Sequence, residues 1–215
     1  VLNYIKSMDP QAFILDATGT VVSARINNSV IQSLGQLTGV EYVQELVKME
    51  PMHIMLDDTQ KPQDVNMMKG DYTDLLGYES GTKVMNMDAA WGQGYYGAGQ
   101  IVGMADTGLD TGNATTLSPD FVPALQKGVA FGIGAKGDWG DPMGHGTHVA
   151  GSVLGRGVVS NGLIKGSAYG AKIVAEGMWS PIISNLSVPP KLVNLYQTAF
   201  DEGARIHTNS WGSGN

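Results

Sequence analysis

The sequence predicts an α/β protein with a doubly wound, mostly parallel sheet, preceded by a small α+β domain. Apolar runs typical of strands buried on both faces alternate with helical patterns from residue 100 onward. Only 4 of the 30 glycines lie in residues 1–76, so two kinds of structure are joined near residue 76. A length of 215 residues allows a substantial core.

The composition excludes several classes of protein. The lack of cysteine rules out disulfide scaffolds, thiolate metal sites and thiol nucleophiles. A net charge of −7 has the wrong sign for tracking phosphates, so we expect no nucleic-acid partner. No stretch approaches the roughly 18 consecutive apolar residues of a membrane helix, so we expect no membrane partner either.

Residues 1–76 are predicted to form the small α+β domain. Segments 12–15 and 21–26 flank the turn sequence DATG and indicate a β-hairpin. Apolar residues then recur at helical spacing between residues 30 and 37, which predicts a helix.

The ends of this helix and the chain after it can also be predicted. Asn28 or Ser29 is the expected cap, and Gly39 is the expected end. Residues 40–43 resume an extended pattern and indicate another strand. The polar stretch 57–74 contains Pro and Gly breakers and is predicted to be a linker.

The remainder of the chain carries the pattern of the larger sheet. Residues 100–105, 171–175 and 205–211 are predicted strands. Helices are predicted at 145–154, which is rich in small residues, and at 191–202, which is amphipathic. Strand, helix, strand, helix, strand in this order predicts the doubly wound layer.

Three short motifs carry polar residues that could perform chemistry. They are Asp-Thr-Gly at 106–108, GHGTHVAG at 144–151 and Ser-Trp-Gly at 210–212. Taken one at a time, each also has a structural explanation: Asp106 as a turn cap, the histidines as core or capping residues, and Ser-Trp-Gly as a strand end. A non-catalytic metal site is a further alternative, with His145 and His148 three apart on a helix and Asp106 or Asp141 as a third ligand.

Together and in this order, the motifs resemble those of the subtilisin-like serine proteases, the subtilases. The resemblance covers residues 83–215, and the strings DTGLDTG, GHGTHVAGSVLG and GARIHTNSWG are similar to the oxidatively stable alkaline branch. It implies a secreted serine endopeptidase that hydrolyses protein and peptide substrates with an Asp-His-Ser triad. By motif position, Asp106 is the triad aspartate, His145 is the general base, and Ser210, Trp211 and Gly212 form the substrate-binding strand.

The reaction requires such residues in such places. A serine hydroxyl is activated by an adjacent imidazole, and a carboxylate fixes the tautomer of that imidazole. Asp106 follows a buried strand, which makes its carboxylate rigid. His145 begins a helix, where the helix dipole favours the neutral imidazole that a base must be. We expect His148, one turn farther along, to be structural.

The sequence departs from the family pattern at the nucleophile. None of the fourteen serines lies in a Gly-Thr-Ser-Met-Ala context, and the segment with the oxyanion asparagine is absent as well. Ser213 is rejected as a substitute because it lacks a strand-to-helix turn. We therefore expect the carboxyl-terminal remainder of the catalytic domain to be supplied by a second chain, and this chain alone to be inactive. A degenerate subtilase fold that serves as a binding module is the alternative.

Further expectations come from the resemblance. Residues 1–76 lie where subtilases carry an inhibitory propeptide, residues 37–43 resemble the end of such propeptides, and the catalytic part is expected to span 77–215; an unrelated α+β module is the alternative. Between 178 and 190, Pro189, Pro190 and the lack of glycine indicate altered pairing with substrate.

No cofactor is expected for the chemistry. Structural calcium is common in the family, but three acidic residues show no ligand spacing and are expected to be solvated loop acids or turn formers: Asp110, Asp138 and Asp141.

Overall fold

The computed structural model describes residues 1–17, 19–46, 48–51 and 81–213. The chain divides into two compact units, Val1–Lys48 and Met49–Asn215. The predicted linker at 57–74 and the predicted domain boundary near residue 76 lie outside the described residues. No helix in the described ranges is both long enough and apolar enough to cross a bilayer.

The first unit is a small α+β structure. Its elements in order are α1 (Leu2–Met8), β1 (Phe13–Asp16), β2 (Ser23–Arg25) and α2 (Asn28–Leu34). β1 and β2 pair antiparallel, which confirms the predicted hairpin. Both helices bury apolar side chains in one cluster that contains Ile5, Val30 and Leu34. α1 was not predicted.

Three details of the first unit were predicted wrongly. The cap of α2 is Asn27, whose side chain accepts a hydrogen bond from the Ser29 backbone N–H at 3.1 Å. The helix ends at Leu34 rather than near Gly39. Residues 40–43 form no strand: they pair with no other strand among the described residues, and Tyr42 is 69% exposed.

The second unit contains the larger sheet. Its strands are β3 (Glu50–Pro51), β4 (Ile101–Asp106), β5 (Leu125–Ala130), β6 (Lys172–Gly177), β7 (Trp179–Ser180), β8 (Asn185–Leu186), β9 (Ile206–Asn209) and β10 (Trp211–Gly212). Its helices are α3 (Gly81–Val84), α4 (Met87–Gly92), α5 (His145–Leu154) and α6 (Val193–Asp201). Four strands form a parallel sheet in the order β5-β6-β4-β9.

Helices α5 and α6 each pack on this sheet, as the doubly wound prediction requires. Successive side chains of a strand point to opposite faces. Met104 of β4 accordingly belongs to one buried cluster with Leu154 of α5, whereas the next residue, Ala105, belongs to another with Leu195 of α6. The α/β fold class is therefore confirmed.

The strands of the second unit differ from the prediction at residues 205–211 and at β5, and β3, β7 and β8 were not predicted either. The predicted strand at 205–211 is two strands, β9 and β10, which are interrupted at Ser210. β10 leaves the parallel sheet and pairs antiparallel with β3. β5 was not predicted, because this end strand of the sheet exposes polar residues and lacks the apolar run of a central strand.

Candidate active site

Asp106 is the last residue of β4, the strand flanked by β6 and β9. Its side chain is fully buried. The backbone N–H of Thr107 donates to Asp106 Oδ1 at 2.7 Å. Asp106 Oδ2 is also buried and has no hydrogen-bond partner among the described residues. The strand and the turn after it thus hold one carboxylate oxygen in a defined direction.

His145 is the first residue of α5, directly after the helix cap Gly144. Its Nδ1 lies 2.7 Å from Asp106 Oδ1, and 11% of its side chain is exposed. The structure therefore brings together the two residues that the motifs selected. With Nδ1 beside the carboxylate, Nε2 is the ring nitrogen that faces away from Asp106.

Burial raises the pKa of Asp106, because the charged carboxylate loses solvation. Hydrogen bonds from His145 and from the Thr107 backbone N–H act in the opposite direction, but they do not overcome the effect of burial. The ionised carboxylate is therefore costly in this place. Its charge is offset locally when the imidazole takes up a proton.

Gly146 permits the close approach of α5 to the turn after β4. A Cβ built at this position would lie 2.2 Å from Gly108 O and 3.1 Å from Asp106 Cβ. Only glycine leaves room for the backbone of that turn. The short bond between Asp106 and His145 depends on this approach.

Asp141 forms a turn, as one of the two expected roles has it, because Oδ1 accepts from the Met143 and Gly144 backbone N–H groups, and it also makes contacts that were not expected. Its carboxylate accepts hydrogen bonds from Thr107 Oγ1, at 2.7 Å, and from the Thr147 backbone N–H, at 2.7 Å. These partners follow Asp106 and His145 closely in the sequence. Spacing alone gave no signal for this, since the three segments meet only in the folded protein.

The predicted substrate-binding strand lies beside the same turn. Trp211 donates from its indole Nε1 to the Ala105 carbonyl at 2.8 Å, so its ring is fixed to the end of β4. Trp211 and Gly212 form β10, whereas Ser210 lies between β9 and β10 and outside both. Trp211 pairs with Pro51 and Gly212 with Glu50. Residues 50–51 of this chain thus pair antiparallel with the predicted substrate-binding strand.

The segment between 178 and 190 forms a short hairpin. β7 and β8 pair antiparallel, with Trp179 opposite Leu186 and Ser180 opposite Asn185. Ser180 is buried and donates from Oγ to the Ile133 carbonyl at 2.6 Å. β3 contacts β8 as well as β10. The expectation that pairing with substrate is altered here stays a prediction.

The metal-binding alternative finds no support in the geometry. His148 is exposed and lies one turn beyond His145. Among the residues that the structure describes, no group of three or more His, Asp or Glu side chains is arranged to hold a metal ion. Asp110, Asp138 and Asp141 form no such group of side chains either.

A second buried acid–base pair spans the sheet on the α6 side. Glu176 Oε2 of β6 lies 2.9 Å from His207 Nε2 of β9, across β4. Gly103 makes this contact possible, because a Cβ there would lie 2.6 Å from His207 Cδ2. Burial raises the pKa of Glu176, and the contact with His207 opposes that rise. Sequence reasoning missed this pair.

Comparisons with known proteins agree with the geometry. The subtilase family profile matches residues 97–215. The chain is also similar to three Dictyostelium discoideum proteins named serine protease/ABC transporter B family protein: tagD (38% identical over 128 residues), tagB (35% over 127) and tagA (28% over 123). These matches cover 54%, 54% and 56% of this chain.

The matched region is 7% of the length of each relative, so the chain spans a small part of these proteins. The family profile, in contrast, covers more than half of this chain. It includes β4, α5 and the parallel sheet that holds them. The chain therefore belongs to the subtilase family of serine proteases.

Proposed function

We propose that Asp106 and His145 are the aspartate and the general base of an Asp-His-Ser triad in a serine endopeptidase. The observation that carries the proposal is the 2.7 Å contact between Asp106 Oδ1 and His145 Nδ1. In this role Asp106 fixes the tautomer of the imidazole and stabilises the imidazolium. His145 Nε2 takes the proton of the serine hydroxyl during attack and returns it to the leaving amine.

We propose further that the nucleophilic serine and the oxyanion asparagine lie outside residues 1–215, in the carboxyl-terminal remainder of the catalytic domain. This rests on the absence of a Gly-Thr-Ser-Met-Ala segment from the sequence. The edge strand β9 and helix α6 support it, since Ile206 of β9 and Phe200 of α6 line one cavity and expose 57% and 52% of their surfaces, which leaves apolar surface for the remainder to cover. Alone, residues 1–215 lack both the nucleophile that forms the covalent intermediate and the oxyanion donor, so we expect them to be inactive.

Residues 1–76 are proposed to act as a propeptide that keeps the enzyme in a zymogen form. The support is the antiparallel bridge between Glu50–Pro51 and Trp211–Gly212. An extended peptide that adds to an exposed strand is a common mode of substrate recognition. In the proposed zymogen, residues 50–51 occupy the strand position that a substrate would take.

The finer parts of the proposal rest on the motifs. The strings around Asp106, His145 and Trp211 favour the oxidatively stable alkaline branch and a secreted enzyme that acts on proteins and peptides. Triad chemistry requires no cofactor. Structural calcium, which is common in the family, stays possible, and no catalytic step is assigned to it.

The test compares two histidines on the same helix in the enzyme that contains the serine. We expect His145→Ala to lower kcat by several orders of magnitude, in keeping with the usual loss on removing a triad member. His148→Ala is the matched control, because its side chain is exposed and one turn away, and we expect it to retain activity. Equal losses in the two variants would refute the assignment of His145.

A further inference from the structure

The carboxylate of Asp141 is the meeting point of the chain segments that carry Asp106 and His145. Oδ1 accepts hydrogen bonds from Thr107 Oγ1 at 2.7 Å, from the Gly144 backbone N–H at 2.9 Å and from the Met143 backbone N–H at 3.1 Å. Oδ2 accepts from the backbone N–H and the hydroxyl of Thr147, at 2.7 and 2.6 Å. One side chain thus receives five hydrogen bonds.

The two threonines extend this arrangement by a second bond each. Thr107 donates its hydroxyl proton to Asp141, so its oxygen is available to accept the backbone N–H of Gly146 at 2.8 Å. Thr147 likewise donates to Asp141 and accepts the backbone N–H of Asp110 at 2.8 Å. Two hydrogen bonds therefore join the turn after β4 to the first turn of α5. In one the helix donates, from the Gly146 backbone N–H, and in the other it accepts, at the Thr147 hydroxyl.

The local sequence explains why an acid outside the helix performs this task. Gly144, at the cap position, has no side chain and has a left-handed φ of 77°. The backbone N–H of Thr147, in the first turn of α5, would otherwise lack the acceptor that a capping side chain provides. Asp141, three residues before the cap position Gly144, supplies that acceptor. Its negative charge also lies at the positive end of the helix dipole.

All five groups around Asp141 are donors, so both carboxylate oxygens are required as acceptors. An asparagine would present an NH₂ group to donors on one side and lose those bonds. Asp138 differs, although it lies in the same loop and carries the same charge. Its side chain is exposed and accepts from the Gly140 backbone N–H at 2.8 Å.

We propose that Asp141 is a positioning residue that sets the Asp106–His145 hydrogen bond by tying Thr107 to the first turn of α5. The proposal rests on the proposed function for the roles of Asp106 and His145. Asp141 touches neither the substrate nor the reacting atoms in this role. It acts by fixing the distance and direction between the last residue of β4 and the first residue of α5.

The first test is spectroscopic and uses the full chain without substrate. A proton held between an imidazole Nδ1 and a carboxylate gives a strongly downfield NMR resonance, assigned here by its loss in His145→Ala. We expect Asp141→Asn and Thr107→Val to lose or shift this resonance while the amide spectrum shows a folded protein. Thr107→Ser keeps the hydroxyl and is expected to retain it, as is the control Asp138→Asn.

The second test is kinetic and uses the enzyme that contains the nucleophilic serine. We expect Asp141→Asn to lower kcat about 10²-fold, the typical cost of misplacing a reacting group by about 1 Å, with KM within about twofold. An unchanged resonance in Thr107→Val, or equal changes in Asp138→Asn and Asp141→Asn, would overturn the proposal. Failure of the proposed function is distinguishable, because it appears as full activity of His145→Ala and leaves the resonance result standing.

Discussion

Replacement of Gly146 by alanine tests whether the close approach of α5 to β4 creates the Asp106–His145 bond. The added Cβ would lie 2.2 Å from Gly108 O, whereas ordinary contact begins near 3.4 Å. The start of α5 and the turn that carries Gly108 must therefore separate by about 1.2 Å, because Gly108 O is backbone and cannot rotate away. A shift of this size takes the 2.7 Å contact between Asp106 and His145 beyond hydrogen-bond distance.

The expected result has two parts. Overpacking of this kind costs about 1–3 kcal/mol of unfolding free energy, measured by urea unfolding of the chain. Displacement of the base lowers kcat about 10²-fold in the enzyme that contains the serine, and abolishes the downfield Nδ1–H resonance of His145.

Gly151→Ala is the matched control, because Gly151 lies in the same helix and a Cβ there meets nothing within 4 Å. This variant is expected to gain about 0.5–1 kcal/mol, since alanine is favoured over glycine in a helix interior. If Gly146→Ala keeps the resonance and matches Gly151→Ala in stability, the argument from close approach is refuted.

Three further predictions concern the propeptide, the nucleophile and the second buried pair. A purified segment of residues 1–76 is expected to inhibit the mature enzyme in competition with a peptide substrate; binding without competition would contradict the propeptide proposal. A fluorophosphonate probe is expected to label a serine outside residues 1–215 of the active enzyme and no serine within them, as located by mass spectrometry; label on Ser213 would contradict the proposal. Burial raises the native pKa of Glu176, so the folded state binds its proton more tightly than the unfolded state does. Relative to Glu176→Gln, the wild-type chain is therefore expected to lose unfolding free energy as pH rises from the ordinary glutamate range through the raised pKa. If urea unfolding shows a difference between the two proteins that does not change with pH, this expectation is contradicted.

Much of the fold and of the site was predictable because the signals are local. The apolar run before Asp106 indicates a buried strand, and the small residues after His145 indicate a helix that packs closely, as β4 and α5 confirm. Motif order then selects these two residues together. Local patterns failed at residues 40–43, where the predicted strand has no pairing partner in the described part of the chain, and at β5, where an edge strand lacks an apolar run.

The sequence by itself determined the identity of the central strands, the helix that begins at His145 and the likeness to the subtilases. Only the tertiary structure decided the partners of distant residues: Asp141 with Thr107, Glu176 with His207 and residues 50–51 with β10. The reason is physical. Helix and strand periodicity follow from side chains within a few positions of each other, whereas these bonds depend on the register and approach of segments that meet only after folding.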